Sequence, residues 1–216
     1  MPPPRSMAKP RIQPLGDAAL LVQLGSRIDT ALNSRAHAVA AALRKRSGIR
    51  DAAAGYASVT VYYDPERTSY RSLAAAIPKL VAHPGRVGPS GRLHRIPVTY
   101  DGPDLAEAAD QLDLTPEQVI RLHGQPIYRV FMVGFVPGFA YLGPLPPALH
   151  LPRRRVPRTL VPAGSVAIAG AQTGIYPLPS PGGWHLLGRT PMRMFLPDSD
   201  PPSLLRPGDR VRFFPA

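Results

Sequence analysis

From Ile127 to the C-terminus no apolar run outlasts a single strand before proline or glycine cuts it: IYRVFMVG, TLVPAGSVAIAG, WHLLGRTPMRMFL, GDRVRFFP. Short β-rich runs bounded by turn residues read as a barrel or sandwich, because none is long enough for an amphipathic helix. The first part of the chain has another texture. IQPLGDAALLVQLG reads as two short strands around a Gly16–Asp17 turn. In DTALNSRAHAVAAALRKR, Leu32, Ala36, Val39 and Leu43 fall on one helical face, with Asp29 as N-cap. ASVTVYYD alternates, placing Val59, Val61 and Tyr63 on one side of a strand. SYRSLAAAIPKLVAH gives a second helix with Leu73, Ile77 and Leu80 inward, bent or ended near Pro78.

HPGRVGPSG, rich in proline and glycine and without apolar periodicity, separates this region from the next. RLHRIPVTY then reads as a strand, and DLAEAADQLD and TPEQVIRLHG as short helices. The second of these opens with Thr115 as N-cap, Pro116 at the first helical position and Gln118 completing a capping box. The expected class is α+β: residues 1–10 a disordered leader (Met7 an alternative start), 11–83 a small α/β sandwich, 84–91 a linker and 92–216 a β-barrel.

The net charge of +12 raises the question of nucleic acid, but the arginines are scattered and no helix carries a basic stripe. No helix-turn-helix, zinc-finger or RNA-recognition pattern occurs. Cysteine is absent, which excludes disulfides and thiolate metal sites. MPPPRSMAKP is no signal peptide and no segment reaches membrane-spanning length, so a cytoplasmic protein without nucleic-acid or membrane partners is expected.

Between Gln118 and Pro197 there is no Asp or Glu, while eight arginines occur. That segment cannot by itself supply a glycosidase-type carboxylate pair or a carboxylate cage for Mg²⁺, and no metal site is evident. Its proton-transfer groups reduce to His123, His150, His185 and the tyrosines. It offers guanidinium groups and glycine-exposed N–H groups, which hold anions and developing oxyanions. No P-loop, GxSxG, HExxH or GxGxxG pattern is present.

Two stretches concentrate this equipment. GFVPGFAYLG, Gly134 to Gly143, combines backbone freedom with aromatic surface, and reads either as a ligand wall or as a buried tight loop. AGSVAIAGAQTGIYPLPSPGGWHLLGRTP, Ala163 to Pro191, places Gln172 and Thr173 between glycines and ends on Arg189–Thr190. It reads either as a binding surface or as a hairpin series whose Trp184 fills a core.

Together with PRRRVPRTL and LLRPGDRVRF, these strings resemble the 5-oxoprolinase B-subunit family, also called KipI-like or allophanate hydrolase subunit 1. The resemblance covers nearly the whole chain after the leader. It implies a small α/β domain followed by a cyclophilin-like β-barrel. It also implies a component that, with the C subunit (KipA-like) and the A subunit of 5-oxoprolinase, opens the lactam of 5-oxoproline to glutamate, with ATP as co-substrate of the complex. The chain alone would be inactive. Gly134, Pro137, Gly138 and Tyr141 fall on the family's first string, and Gln172, Thr173 and Tyr176 on the second. Arg153 and Arg158 match its PRR...PR pattern, Arg189 and Thr190 its GRT, and His123 its L-H, as the catalytic candidate. The remaining residues are expected to bind substrate or anion. Relatives include components of urea- and allophanate-processing, amide-activating enzymes, and one branch inhibits a histidine autokinase. A regulatory binding protein inhibiting a histidine autokinase, or a subunit of a related urea- or allophanate-processing enzyme, is therefore the alternative reading.

Overall fold

The structure, a computed structural model, describes residues 9–83 and 91–216. Most of the expected leader and linker therefore lies outside the described residues. The chain divides into two compact units, Met1–Pro89 and Ser90–Ala216.

The first unit runs β1 (Arg11–Pro14), β2 (Ala19–Gln23), α1 (Thr30–Arg44), β3 (Ile49–Ala54), β4 (Ser58–Tyr63) and α2 (Tyr70–Ala82). Its strands form an antiparallel sheet in the order β1-β2-β4-β3. Alternate positions Leu20, Val22, Val59 and Val61 face a core completed by Val39 and Leu43 of α1 and by Leu73, Ile77 and Val81 of α2. The Asp29 carboxylate caps α1 by accepting from the amides of Ala31 and Leu32 at 2.9 Å. β3 escapes sequence reading because IRDAAA has a charged pair and alanines where strands favour branched side chains. α2 continues through Pro78 to Ala82. Pro78 is exposed and Val81, one turn beyond Ile77, is buried, so packing holds the last turn despite the lost hydrogen bond. Leu80 only flanks that core.

The second unit begins with β5 (Leu93–Val98), α3 (Leu105–Gln111) and α4 (Pro116–Gly124). There follow β6 (Tyr128–Val133), β7 (Ala140–Gly143), a 3-10 turn (Pro147–Leu149), β8 (Arg158–Val161), β9 (Ser165–Ala169), β10 (Gln172–Ile175), β11 (Ser180–Gly182), β12 (His185–Arg189) and β13 (Arg210–Pro215). Seven of these strands form one sheet, β12-β9-β10-β7-β6-β13-β5, while β8 and β11 pair as a separate ribbon. Thr99, just past β5, exchanges two 2.9 Å backbone hydrogen bonds with Arg189 at the end of β12. The sheet thus curls into a nearly closed barrel, as the Pro/Gly-cut strands predict.

The capping box of α4 forms as read: the Thr115 amide donates to Gln118 Oε1 (2.7 Å) and the Gln118 amide to Thr115 Oγ1 (3.3 Å). β9 is buried throughout, with Val166 and Ile168 in the barrel interior and Ala167 and Ala169 in a second, outer cluster. Having both sheet faces covered removes the hydrophobic–polar alternation expected of a half-exposed strand. No helix among the described residues is long and apolar enough to cross a membrane.

Candidate functional site

The two glycine-rich strings lie side by side. β7 and β10 are hydrogen-bonded neighbours, with Thr173 opposite Leu142, Gly174 opposite Tyr141 and Ile175 opposite Ala140. Strand alternation then sorts their side chains. Ala140, Leu142 and Ile175 enter the interior core, while Phe139 and Tyr141 join Tyr176 and Trp184 on the outer face. Phe139 is the hub of this cluster, edge-on to Tyr141, Tyr176 and Trp184 at centroid distances of 4.8, 5.2 and 5.5 Å. The hub needs Gly174 beneath it: a Cβ there would stand 3.2 Å from Phe139 Cζ and 3.3 Å from Trp184 Cζ3.

The loop before Phe139 is partly surface and partly buried. Gly134 donates its amide to the Phe139 carbonyl (3.0 Å), Pro137 is exposed, and Phe135 at φ 77° leaves 62% of its surface open. Gly138 is buried at φ 82°, and a Cβ there would come within 2.7 Å of Phe195 Cβ. Gly138→Ala is therefore expected to destabilise the second unit by about 1–3 kcal/mol. Urea unfolding followed by the fluorescence of Trp184, the single tryptophan, measures it.

Thr173 and His123 are placed elsewhere, inside the barrel. His123 is fully buried, stacked on Phe213 at 4.6 Å, with both ring nitrogens engaged. The Thr173 hydroxyl donates to the Ala167 carbonyl (3.0 Å), so it accepts from His123 Nε2–H (2.8 Å), which leaves Nδ1 to accept from the Tyr100 hydroxyl (2.8 Å). Burial drives the imidazole pKa down to about 3 and raises that of Tyr100. The imidazole is neutral and ties the end of α4 to β10. It is closed off from solvent. Gln172, adjacent in sequence, points to the opposite sheet face, so it and Thr173 cannot share one ligand.

The arginines are also redistributed. Asp104, 2% exposed, accepts two hydrogen bonds from Arg158 (2.6 and 2.8 Å), one from Arg154 (2.8 Å) and one from the Leu186 amide (2.7 Å). Burial pushes its carboxyl up, but the Arg158 hydrogen bond, the Leu186 amide and the charges of Arg158 and Arg154 prevail and hold it below its ordinary range. Glu107 takes a second bond from Arg154 at 3.0 Å. Arg189 is exposed and pairs with Asp101 at 2.9 Å, and Thr190 is buried, its Oγ1 accepting from the Met192 amide (3.3 Å). The acid-free segment thus draws carboxylates from residues 101–107. Arg158 and Arg189, expected as anion contacts, are neutralised within the chain.

Arg153 remains. It lies exposed, and no carboxylate is within ion-pair range among the described residues. With Glu107, Gln111, Pro152, Arg154, Arg155, Val156 and His185 it lines a cavity of about 350 Å³. The other expected site residues do not line it. The Arg153 charge also reaches the outer aromatic cluster. Burial raises the pKa of the Tyr141 hydroxyl and Arg153 lowers it; for Tyr176 burial is again the largest cause, opposed by a Trp184 backbone hydrogen bond and by Arg153 and Arg158. A guanidinium without a carboxylate in ion-pair range thus lines the cavity and acts electrostatically on two phenols, and such a donor suits an anionic oxygen.

Of the other lining residues, sequence reasoning misses Glu107 and Gln111, and it leaves Arg154, Arg155 and His185 without a site role. His185 is 3% exposed, its Nε2–H donating to the Pro152 carbonyl (2.9 Å) and its Nδ1 without a partner. No local signal marks Glu107 and Gln111, since α3 joins the cavity only through the fold. Among the described residues no three His, Asp or Glu side chains gather to hold a metal.

Residues 10–205 match the family described as carboxyltransferase domain, subdomain C and D. The chain is 41% identical to the 5-oxoprolinase B subunit of Escherichia coli O157:H7, covering 97% of each chain. It is 39% identical to that of Bacillus subtilis strain 168, over 94% of this chain and 91% of the relative. It resembles the crystal structure of TTHA0988 at 46% identity and a TM-score of 0.80, over 92% of this chain but only 40% of that longer one. With such identity over nearly its full length, the chain belongs to the 5-oxoprolinase B-subunit family.

Proposed function

We propose that this chain is the B subunit of an ATP-dependent 5-oxoprolinase, contributing its Arg153 cleft to lactam opening in a complex with the A and C subunits. The observation that carries this reading is Arg153, which has no carboxylate in ion-pair range among the described residues, lines the cavity with Glu107 and Gln111 of α3, and acts electrostatically on Tyr141 and Tyr176. A lactam is an unreactive amide, and its carbonyl oxygen must gain negative charge or a phosphoryl group before water can open the ring. Preorganised donors around that oxygen lower the barrier electrostatically. Proton transfer is assigned to the partner proteins: His123 is locked in the interior, and His185, although it lines the cleft, is buried with its Nε2–H held by the Pro152 carbonyl.

Co-expression with the A and C subunits, followed by assay of ATP-dependent glutamate release from 5-oxoproline, tests the proposal. The assembled complex is expected to turn over and this chain alone to be inactive. Arg153→Ala is expected to lower kcat about 100-fold, the usual loss for one oxyanion donor, with assembly unchanged by size-exclusion chromatography. An assembled but inert wild-type complex would transfer the assignment to the regulatory, kinase-binding reading.

A further inference from the structure

A second basic groove lies on the outer face of β5 and β13, beside the last turn of α4, and it is built differently. In the parallel β5–β13 register Arg95 stands directly opposite Arg212. Ile96 and Phe213 enter the barrel core, so both arginines project outward, and both are exposed. Like charges directly opposite on neighbouring strands are destabilising. Arg121, from the last turn of α4, adds a third positive charge to the same groove. None of the three is in ion-pair range of a carboxylate among the described residues. The undescribed residues contain no Asp or Glu that could supply one.

Apart from Gln125, the rest of the lining is apolar or glycine. Leu93, Ile120 and Phe214 border a volume of about 420 Å³, within the usual size range of a small-molecule site. The Arg95 guanidinium lies over the Phe214 ring, 5.4 Å from its centroid. A cation held over an aromatic ring in this way keeps its N–H groups for a ligand. Three forked donors and apolar side chains in one groove suit a ligand with an anionic and an apolar part.

We propose that this groove binds a phosphate monoester carried on a flat apolar body. A carboxylate has one charge and two oxygens and satisfies a single guanidinium fork. A phosphate monoester has three terminal oxygens and up to two charges, enough to engage Arg95, Arg121 and Arg212 together. Its binding also removes the Arg95–Arg212 repulsion. The site shares no lining residue with the Arg153 cleft and does not depend on the 5-oxoprolinase reading.

Isothermal titration calorimetry of the full chain with 1-naphthyl phosphate, 1-naphthol and inorganic phosphate tests it. The aryl phosphate is expected to bind saturably and about tenfold or more tighter than either fragment, since each supplies only half of the contacts. The Arg95→Gln/Arg212→Gln double variant is expected to weaken it about tenfold or more. Its thermal midpoint without ligand should be equal or higher, because a like-charge pair is gone. Arg71→Gln, on the exposed face of α2, should leave binding unchanged. Equal binding by the double variant, or equal binding of 1-naphthol, overturns the site. Displacement of the aryl phosphate by a glutamate-rich peptide that binds more tightly overturns the small-molecule assignment in favour of a protein partner.

Discussion

Asp104→Ala is expected to destabilise the second unit by about 3–5 kcal/mol, the usual loss when one partner of a buried ion pair is removed. The variant leaves Arg158 and Arg154, both largely shielded from water, facing each other without the carboxylate that accepts three of their hydrogen bonds. It also orphans the buried Leu186 amide. Denaturant unfolding monitored by Trp184 reads this directly, because Trp184 packs in the cluster that contains Leu186. Asp104→Asn keeps an acceptor oxygen and should fall between the two. A variant as stable as wild type would mean that water replaces the carboxylate and that the cluster is a surface network of small energetic weight.

His123→Ala is expected to have a comparable effect, about 3–5 kcal/mol, for a different reason. The substitution opens a cavity against Phe213 and Tyr128 and leaves the Tyr100 and Thr173 hydroxyls without their imidazole partner. Its pH signature separates the two variants. The unfolded chain binds a proton at His123 near the ordinary value of 6.5, whereas the folded chain resists protonation down to about 3. Stability from this group is therefore complete above about 6.5 and is lost as pH falls toward 3. The Asp104 carboxyl, also depressed in the fold, contributes fully above its ordinary 3.8 and loses that contribution only at lower pH. Between about pH 6 and pH 4, His123→Ala should flatten the stability profile relative to wild type and Asp104→Ala should leave its slope unchanged. An unaltered slope in His123→Ala would show that this imidazole is already accessible to protons in the native state.

The placement of His123 also bears on what the family pattern can convey. The L-H match draws attention to a residue that matters, but as an internal strut. The same holds for Thr173, whose neighbours in sequence suggest a ligand contact while its partners are His123 and the Ala167 carbonyl. Period-two alternation separates Gln172 from Thr173 once β10 is known to be a strand. A four-residue segment with a glycine inside it gives too little periodicity to show that beforehand. β3 is invisible for a related reason, its residues having weak strand preference and gaining their conformation from β4 alongside.

The sequence alone determined the local and the repetitive. Proline and glycine spacing set strand lengths in the barrel, Asp29 and the Thr115–Gln118 box set helix starts, and the glycine-rich strings carried the family. These signals act over a few residues, where steric and capping preferences are decided within the segment itself. The tertiary structure alone decided which charges stay uncompensated. Asp104 and Arg158 are 54 residues apart in sequence yet share two hydrogen bonds, and Arg153, five positions before Arg158, has no carboxylate in ion-pair range among the described residues. Ion pairing depends on distance in space and on exclusion of water, and neither exists until the sheet has closed and α3 has settled against β12.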